Sequence, residues 1–155
     1  MDNNFIQLAV ELAKNSIEKH NGGPFGAVVV LDGKVVGRGY NQVTKNCDPT
    51  AHAEVNAIRD ACKNLGTFHL HDCDLYTSCE PCPMCFSAIY WAHIKNVYYA
   101  STHQQAANAG FDDTFIGTEF RKINEERNIH FIENLLPEAE DVFVSWRHKM
   151  DKIKY

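Results

Sequence analysis

At residues 79–85 the sequence reads Cys79-Glu80-Pro81-Cys82-Pro83-Met84-Cys85, which places three thiols and two prolines within seven residues. A second short stretch upstream, His52-Ala53-Glu54, adds an imidazole and a carboxylate. Nitrogen and thiolate ligands beside a carboxylate are the groups of a catalytic zinc site. We therefore expect the rest of the chain to hold these two stretches together and to shape a pocket over them.

The composition is that of one ordinary globular domain, expected to span residues 1–155. Hydrophobic residues make up 45% of the chain and charged residues 23%. The net charge of −5 argues against a nucleic-acid partner, because domains that grip a phosphate backbone are usually basic. The longest aliphatic run, Ala27–Leu31, is too short for a membrane span. Without a secretory signal, the six cysteines indicate a cytoplasmic protein with reduced thiols.

The residues before the first motif predict a helix followed by a hairpin. Apolar residues at helical spacing predict a helix over Phe5–Ile17. The valine-rich run Phe25–Leu31 predicts a buried strand, Asp32-Gly33 a hairpin turn, and Lys34–Tyr40 the return strand.

The second helix is expected to carry the upstream motif. Asp48-Pro49 fits a helix start, with aspartate as the N-cap and proline as the first helical residue. Gly66 is a plausible C-cap. This prediction places His52 and Glu54 in the first turn of the helix.

The second half of the chain alternates strands and helices. The predicted segments are a strand at Cys73–Thr77, a helix entered through Pro83, a strand at Asn96–Ala100, a loop at Thr102–Thr114, and then a short helix at Phe115–Phe120, a strand at Ile129–Glu133 and a last helix at Glu138–Lys152. Strands joined through helices imply parallel pairing next to the antiparallel hairpin. We predict an α/β fold, a three-layer α/β/α domain with a mixed sheet of about five strands.

Cys82 and Cys85 form a Cys-x-x-Cys pair that can clamp a metal ion, although a redox dithiol or two inert thiols have the same spacing. A helix beginning near Pro83 would favour the thiolates through its dipole. His52 near a second helix start favours the metal interpretation. The other seven histidines, His103 among them, have no comparable neighbours in the sequence and are expected to be surface or hydrogen-bonded residues.

The role of Cys79 is open at this level. Four ligands including Cys79 would make a closed structural zinc site, whereas three ligands would leave a position for water. The carboxylate of Glu54 favours the open site, because it would have no purpose beside a closed one; otherwise it is an ordinary first-turn glutamate. In an open site the zinc-bound hydroxide attacks an amidine-like ring carbon, Glu54 shuttles the proton and ammonia leaves.

The stretches Pro49–Glu54 and Thr77–Cys85 together resemble the motifs of the cytidine-deaminase-like superfamily of zinc-dependent nucleobase deaminases. Within that superfamily the chain is similar to the bacterial guanine deaminases, through Ala109–Asp113, Trp91 and the terminal Tyr155. The resemblance implies the conversion of guanine to xanthine and ammonia. It also implies one zinc ion per subunit, bound by His52, Cys82 and Cys85.

The same resemblance assigns further roles. Glu54 would be the proton shuttle, and Asp113 would meet the guanine 2-amino group and assist its departure. The substrate-binding residues would be Asn41, Phe25, Ala53, Trp91 and Tyr155. The protein would be a homodimer that exchanges its C-terminal segments, at about residues 138–155, so that Tyr155 closes the partner's pocket.

Each assignment has a simpler alternative. Asn41 could serve a turn, Phe25 and Trp91 the core, and Asp113 a helix cap. The alternative functions are deamination of another amino-heterocycle, such as cytosine, cytidine or a tRNA adenosine, and a non-catalytic interaction domain stabilised by zinc.

Overall fold

The computed structural model describes residues 3–154, which fall into two compact units divided between Thr114 and Phe115. The first unit contains a four-stranded sheet in the order β2-β1-β3-β4. Its strands are β1 at Gly26–Leu31, β2 at Lys34–Tyr40, β3 at Asp74–Cys79 and β4 at Asn96–Ser101. Strand β1 pairs antiparallel with β2 and β3, and β3 pairs parallel with β4. The predicted mixed sheet is confirmed, with four strands instead of about five.

Helices cover both faces of this sheet. Those of the first unit are α1 at Asn3–Glu18, α2 at Val43–Asn46, α3 at Ala53–Leu65, α4 at Pro83–Trp91 and α5 at His103–Asn108. Alternate residues of β1 point to opposite faces. Val28 and Val30 pack with Leu8 and Leu12 of α1, while Val29 lies in a core cluster with residues of α3 and α4. The predicted three-layer arrangement is therefore confirmed.

Helix α3 lies very close to strand β2. A Cβ added at Gly39 would stand 2.0 Å from the carbonyl oxygen of Ala53. The facing positions Ala53, Ala57 and Ala61 follow helical spacing and are fully buried. This approach, which only small residues allow, fixes the beginning of α3 against the sheet.

The start of α3 differs from the prediction. The helix begins at Ala53 with His52 as its N-cap, and it ends at Leu65 with Gly66 as its C-cap, as predicted. The carboxylate of Asp48 instead accepts hydrogen bonds from the backbone N–H and the hydroxyl of Thr50, at 2.8 and 2.7 Å. Such a local turn competes with helix formation and delays the helix. Glu54 nevertheless remains in the first turn, as expected.

The carboxyl ends of β3 and β4 meet at one edge of the sheet. Cys79 is in register with Ser101, and the N–H of Glu80 donates to the carbonyl oxygen of Ser101 at 2.8 Å. Strand β3 is followed almost directly by α4, with Cys82 as the N-cap and Pro83 as the first residue. The predicted entry through Pro83 is confirmed.

Part of the segment predicted as a loop, Thr102–Thr114, forms helix α5. The hydroxyl of Thr102 and the side chain of Gln105 form a reciprocal capping box. This pair satisfies two backbone donors and starts a short helix directly after β4.

Helix α6, at Thr114–Arg121, begins at the last residue of the first unit and belongs otherwise to the second unit, which also contains a 3₁₀ turn at Asn124–Glu126 and helix α7 at Pro137–His148. The strand predicted at Ile129–Glu133 is wrong. The N–H of Asn128 donates to the carboxylate of Glu119 at 2.7 Å, and the Arg127 guanidinium lies 4.9 Å from the centre of the Phe131 ring. These local contacts hold the segment without a partner strand. The last helix also ends before the predicted Lys152.

Of the helices described between residues 3 and 154, none has the length and apolar character that crossing a membrane would require.

Candidate active site

Three predicted ligands converge where the amino-terminal ends of α3 and α4 meet. His52 Nδ1 lies 3.5 Å from the Sγ atoms of both Cys82 and Cys85. All three ligand atoms lie within 4.8 Å of one another. A tetrahedral zinc ion, with bonds of about 2.3 Å to sulfur and about 2.0 Å to nitrogen, separates such N and S atoms by about 3.5 Å. The geometry and the chemistry of these donors therefore fit zinc.

The two thiols shift each other's ionisation in opposite directions. The pKa of Cys82 is lowered to about 4, mainly by its side-chain contact with Cys85. The same contact is the first reason why the pKa of Cys85 is raised. The contact with Cys82 also raises the pKa of His52. Because thiolate is the form that binds metal, the cluster already favours one anionic sulfur ligand.

Glu54 lies directly beside this cluster and is only 5% exposed. Its Oε1 accepts a hydrogen bond from the Thr77 hydroxyl at 3.4 Å, and its Oε2 accepts one from Cys85 Sγ at 3.4 Å. Burial raises the pKa of the carboxyl group. A raised pKa makes the carboxylate a stronger base, which suits a group that accepts and returns protons.

Cys79 stands apart from the three ligands. Among residues 3–154, the group able to hold an ion consists of His52, Cys82 and Cys85. The thiol of Cys79 instead donates to the carbonyl oxygen of Thr102 at 3.7 Å. Burial raises its pKa to about 11, which keeps it protonated. This arrangement favours the open, three-ligand site.

Three predicted substrate-binding residues lie at the ends of neighbouring elements. Ala53 is the first residue of α3, Phe25 directly precedes β1, and Asn41 directly follows β2. Asn41 is buried, and its Oδ1 accepts hydrogen bonds from the N–H groups of Gly23 and Val43 at 3.1 and 3.2 Å. Asn41 thus organises a turn with its oxygen, which leaves its amide nitrogen to donate to a ligand. Phe25 is half-buried, and Ala53 is fully buried.

Trp91 and Tyr155 are not brought to the cluster by the described structure. Trp91 is the last residue of α4 and 67% exposed. Six positions separate it from the buried Cys85, so the two side chains leave the helix on different faces. Tyr155 lies outside the described residues. Both assignments remain predictions.

Asp113 is held by a histidine that the sequence did not single out. His103 Nδ1 lies 3.2 Å from Asp113 Oδ1, and its Nε2 lies 3.8 Å from Glu80 Oε1. The charge of Asp113 contributes to the raised pKa of His52, after larger contributions led by the contact with Cys82. A signal was present, because His103 closely follows β4 at the sheet edge where the Cys79–Cys85 stretch also begins.

Together, the mixed sheet, the three-ligand cluster and the buried glutamate define a zinc-dependent deaminase. Residues 1–101 match the family model described as the cytidine and deoxycytidylate deaminase zinc-binding region. The chain belongs to this family, and the family and the cluster together fit one zinc ion per chain.

The similar proteins extend this result. The chain is 54% identical to a guanine deaminase of Bacillus subtilis (strain 168) over 151 residues, which is 97% of each protein. The X-ray structure of guanine deaminase from Bacillus subtilis matches with a TM-score of 0.97 at 53% identity, over 100% of this chain and 99% of that one. A tRNA-specific adenosine deaminase of Aquifex aeolicus is 39% identical over 63% of this chain and 64% of its own length.

Proposed function

We propose that this protein catalyses the hydrolytic deamination of guanine to xanthine and ammonia. The observation that carries the proposal is the similarity to the guanine deaminase of Bacillus subtilis over 97% of both chains. That similarity continues beyond residue 101, where the family match ends. It therefore includes the region around Asp113, where the resemblance predicts substrate selection.

His52, Cys82 and Cys85 would hold the metal, and zinc bound there lowers the pKa of a water molecule to about 7 and so supplies the hydroxide. The remaining proton chemistry belongs to Glu54. Its carboxylate accepts one proton of the attacking water and delivers it to a ring nitrogen. It then accepts the second proton, from the hydroxyl group added to the ring carbon, and delivers it to the amine, which leaves as ammonia when the C–N bond breaks. The Thr77 hydroxyl holds one of the two carboxylate oxygens in place.

The substrate pocket would be formed by residues around the cluster. The amide nitrogen of Asn41 would donate to an acceptor of the purine, because its oxygen already serves two backbone groups. Phe25 would pack against the base. Asp113 would accept a hydrogen bond from the 2-amino group and assist its departure, and its carboxylate is 23% exposed.

An ammonia-release screen of the zinc-loaded protein tests this function. We expect turnover of guanine and little or none of adenine, cytosine, cytidine or tRNA. The readout is ammonia release, with loss of the guanine absorbance as an independent measurement. Turnover of a different amino-heterocycle and not of guanine would contradict the substrate assignment, and its absence with every compound would favour a non-catalytic domain.

We also propose that the chain acts as a single deaminase domain within a homodimer, with about residues 138–155 exchanged between subunits. Large apolar side chains remain exposed on α4, where Phe86 is 55% and Tyr90 67% exposed. On α7, Phe143 is 71% exposed. Large apolar side chains exposed in this way are typical of association surfaces.

Removal of the residues after Met150 should raise the KM for guanine by at least about tenfold, if Tyr155 closes the partner's pocket. Loss of one well-placed pocket contact commonly has an effect of this size. Zinc content should not change, because the ligands are far from this segment in the sequence. Sedimentation should give twice the 17.6 kDa chain mass for the full-length protein. An unchanged KM would contradict the role of Tyr155.

A further inference from the structure

His103 occupies the junction between β4 and α5. Thr102, the residue before it, is the N-cap of α5 and forms the capping box with Gln105. The backbone N–H of His103 donates to Glu80 Oε2 at 3.2 Å. Its backbone is therefore fixed from two sides, and its side chain leaves a rigid position.

The imidazole of His103 lies between two carboxylates. Nδ1 is 3.2 Å from Asp113 Oδ1, and Nε2 is 3.8 Å from Glu80 Oε1. Both contacts are within ion-pair distance, and the shorter one joins Nδ1 to Asp113. A carboxylate can only accept hydrogen bonds, so a hydrogen bond across this contact would carry its proton on Nδ1.

Asp113 depends on such a contact because its neighbours in the segment make other contacts. Gly110 has a φ of +92°, which marks a sharp change of chain direction. Phe111 packs edge-on against Phe25, with the ring centres 5.0 Å apart, and its N–H donates to the carbonyl oxygen of Ala106. The carboxylate of Asp112 bonds to the N–H and hydroxyl of Thr114, at 3.0 and 2.6 Å, and so serves the start of the next helix. Neither neighbouring side chain orients the Asp113 carboxylate.

Glu80 connects the same histidine to the metal-binding stretch. It lies two residues before Cys82, and its N–H donates to the carbonyl oxygen of Ser101 at 2.8 Å. His103 thus joins the stretch that carries two ligands to the residue expected to meet the substrate amine.

We propose that His103 is a positioning residue that orients the Asp113 carboxylate toward the amino group of guanine, through the contact of its Nδ1 with Asp113 Oδ1. This inference rests on the proposed function. It predicts a loss of catalysis that passes through Asp113, because a misplacement of about 1 Å can cost about 100-fold in rate. A merely structural ion pair on the surface would not produce such a loss.

Replacement of His103 by asparagine or glutamine distinguishes the roles of its two ring nitrogens. The amide nitrogen of His103→Asn can replace Nδ1–H, whereas that of His103→Gln reaches the position of Nε2. His103→Ala should lower kcat/KM for guanine by about 10- to 100-fold. His103→Asn should retain activity within about threefold of wild type, and His103→Gln should resemble the alanine variant. Gln104→Ala, at the neighbouring exposed position of α5, is the matched control and should behave as wild type.

A double-mutant cycle shows whether the effect passes through Asp113. In an Asp113→Ala background, His103→Ala should change kcat/KM by less than about threefold, because the carboxylate to be positioned is gone. Zinc content and melting temperature are measured for every variant, so that misfolded protein is recognised. Full activity of His103→Ala, or additive losses in the cycle, would overturn the proposal.

The positioning role of His103 and the deamination of guanine are tested by different outcomes. Wild-type protein that leaves guanine unchanged contradicts the function itself. A crystal structure of His103→Ala then still decides the structural half of the proposal. A displaced Asp113 side chain supports the positioning role, and an unchanged one refutes it.

Discussion

Glu54→Gln should lower kcat for guanine by about 10³- to 10⁴-fold while zinc remains bound at one ion per chain. Proton transfer by a positioned carboxyl group contributes about 10²- to 10⁴-fold to a rate, and here one carboxyl group would serve several transfers. Glutamine keeps the size of the side chain and an oxygen that can accept from Thr77. It cannot accept and return a proton. Ammonia release and zinc stoichiometry are the two measurements.

The same variant should be at least as stable as wild type in the metal-free form. Burial raises the pKa of Glu54 above its value in the unfolded chain, so the charged form opposes folding at pH values above the unfolded pKa. Glutamine removes that cost. Glu11→Gln, the same change at an exposed position of α1, is the control and should change neither activity nor melting temperature. Glu54→Gln protein with substantial turnover would refute the proton-shuttle role.

The ligand set could be predicted from the sequence because its determinants are local. Cys82 and Cys85 are fixed by a proline-initiated helix start, and a tight turn ahead of α3 leaves His52 at the N-cap and Glu54 in the first turn. Each pair needs only a few neighbouring residues to define its geometry. The sheet order adds only the requirement that the two helix starts meet.

The errors arose where non-local or competing contacts decide the structure. The strand pattern at Ile129–Glu133 needed a partner strand, and none pairs with it in the described structure. Asp48 could cap a helix or form a turn, and its two bonds to Thr50 decide for the turn. His103 closely follows a predicted strand, but only the parallel register of β3 and β4 places it beside Glu80.

Cys85→Ser should abolish stable zinc binding and, with it, guanine turnover. The Sγ atom of Cys85 is buried at the third position of α4, and it is one of three atoms that can hold the ion. A serine hydroxyl is not a typical zinc ligand and does not ionise as a thiol does. We expect less than about 0.1 zinc per chain after dialysis, because metal affinity depends on the deprotonated ligand.

Cys79→Ser is the matched control, since it makes the same change on a buried thiol within the same stretch. Its thiol has a pKa of about 11 and donates to the carbonyl oxygen of Thr102, so zinc content should remain at one per chain.

Thermal unfolding gives a second measurement of zinc binding. Zinc at 100 times its dissociation constant stabilises a folded protein by about 2.7 kcal/mol, which raises the melting temperature by about 5–10 °C in a chain of this size. Wild type and Cys79→Ser should show this shift on zinc addition, and Cys85→Ser should not. Loss of zinc from Cys79→Ser would instead indicate a fourth ligand and a closed site, in which no position is left for the water that deamination consumes.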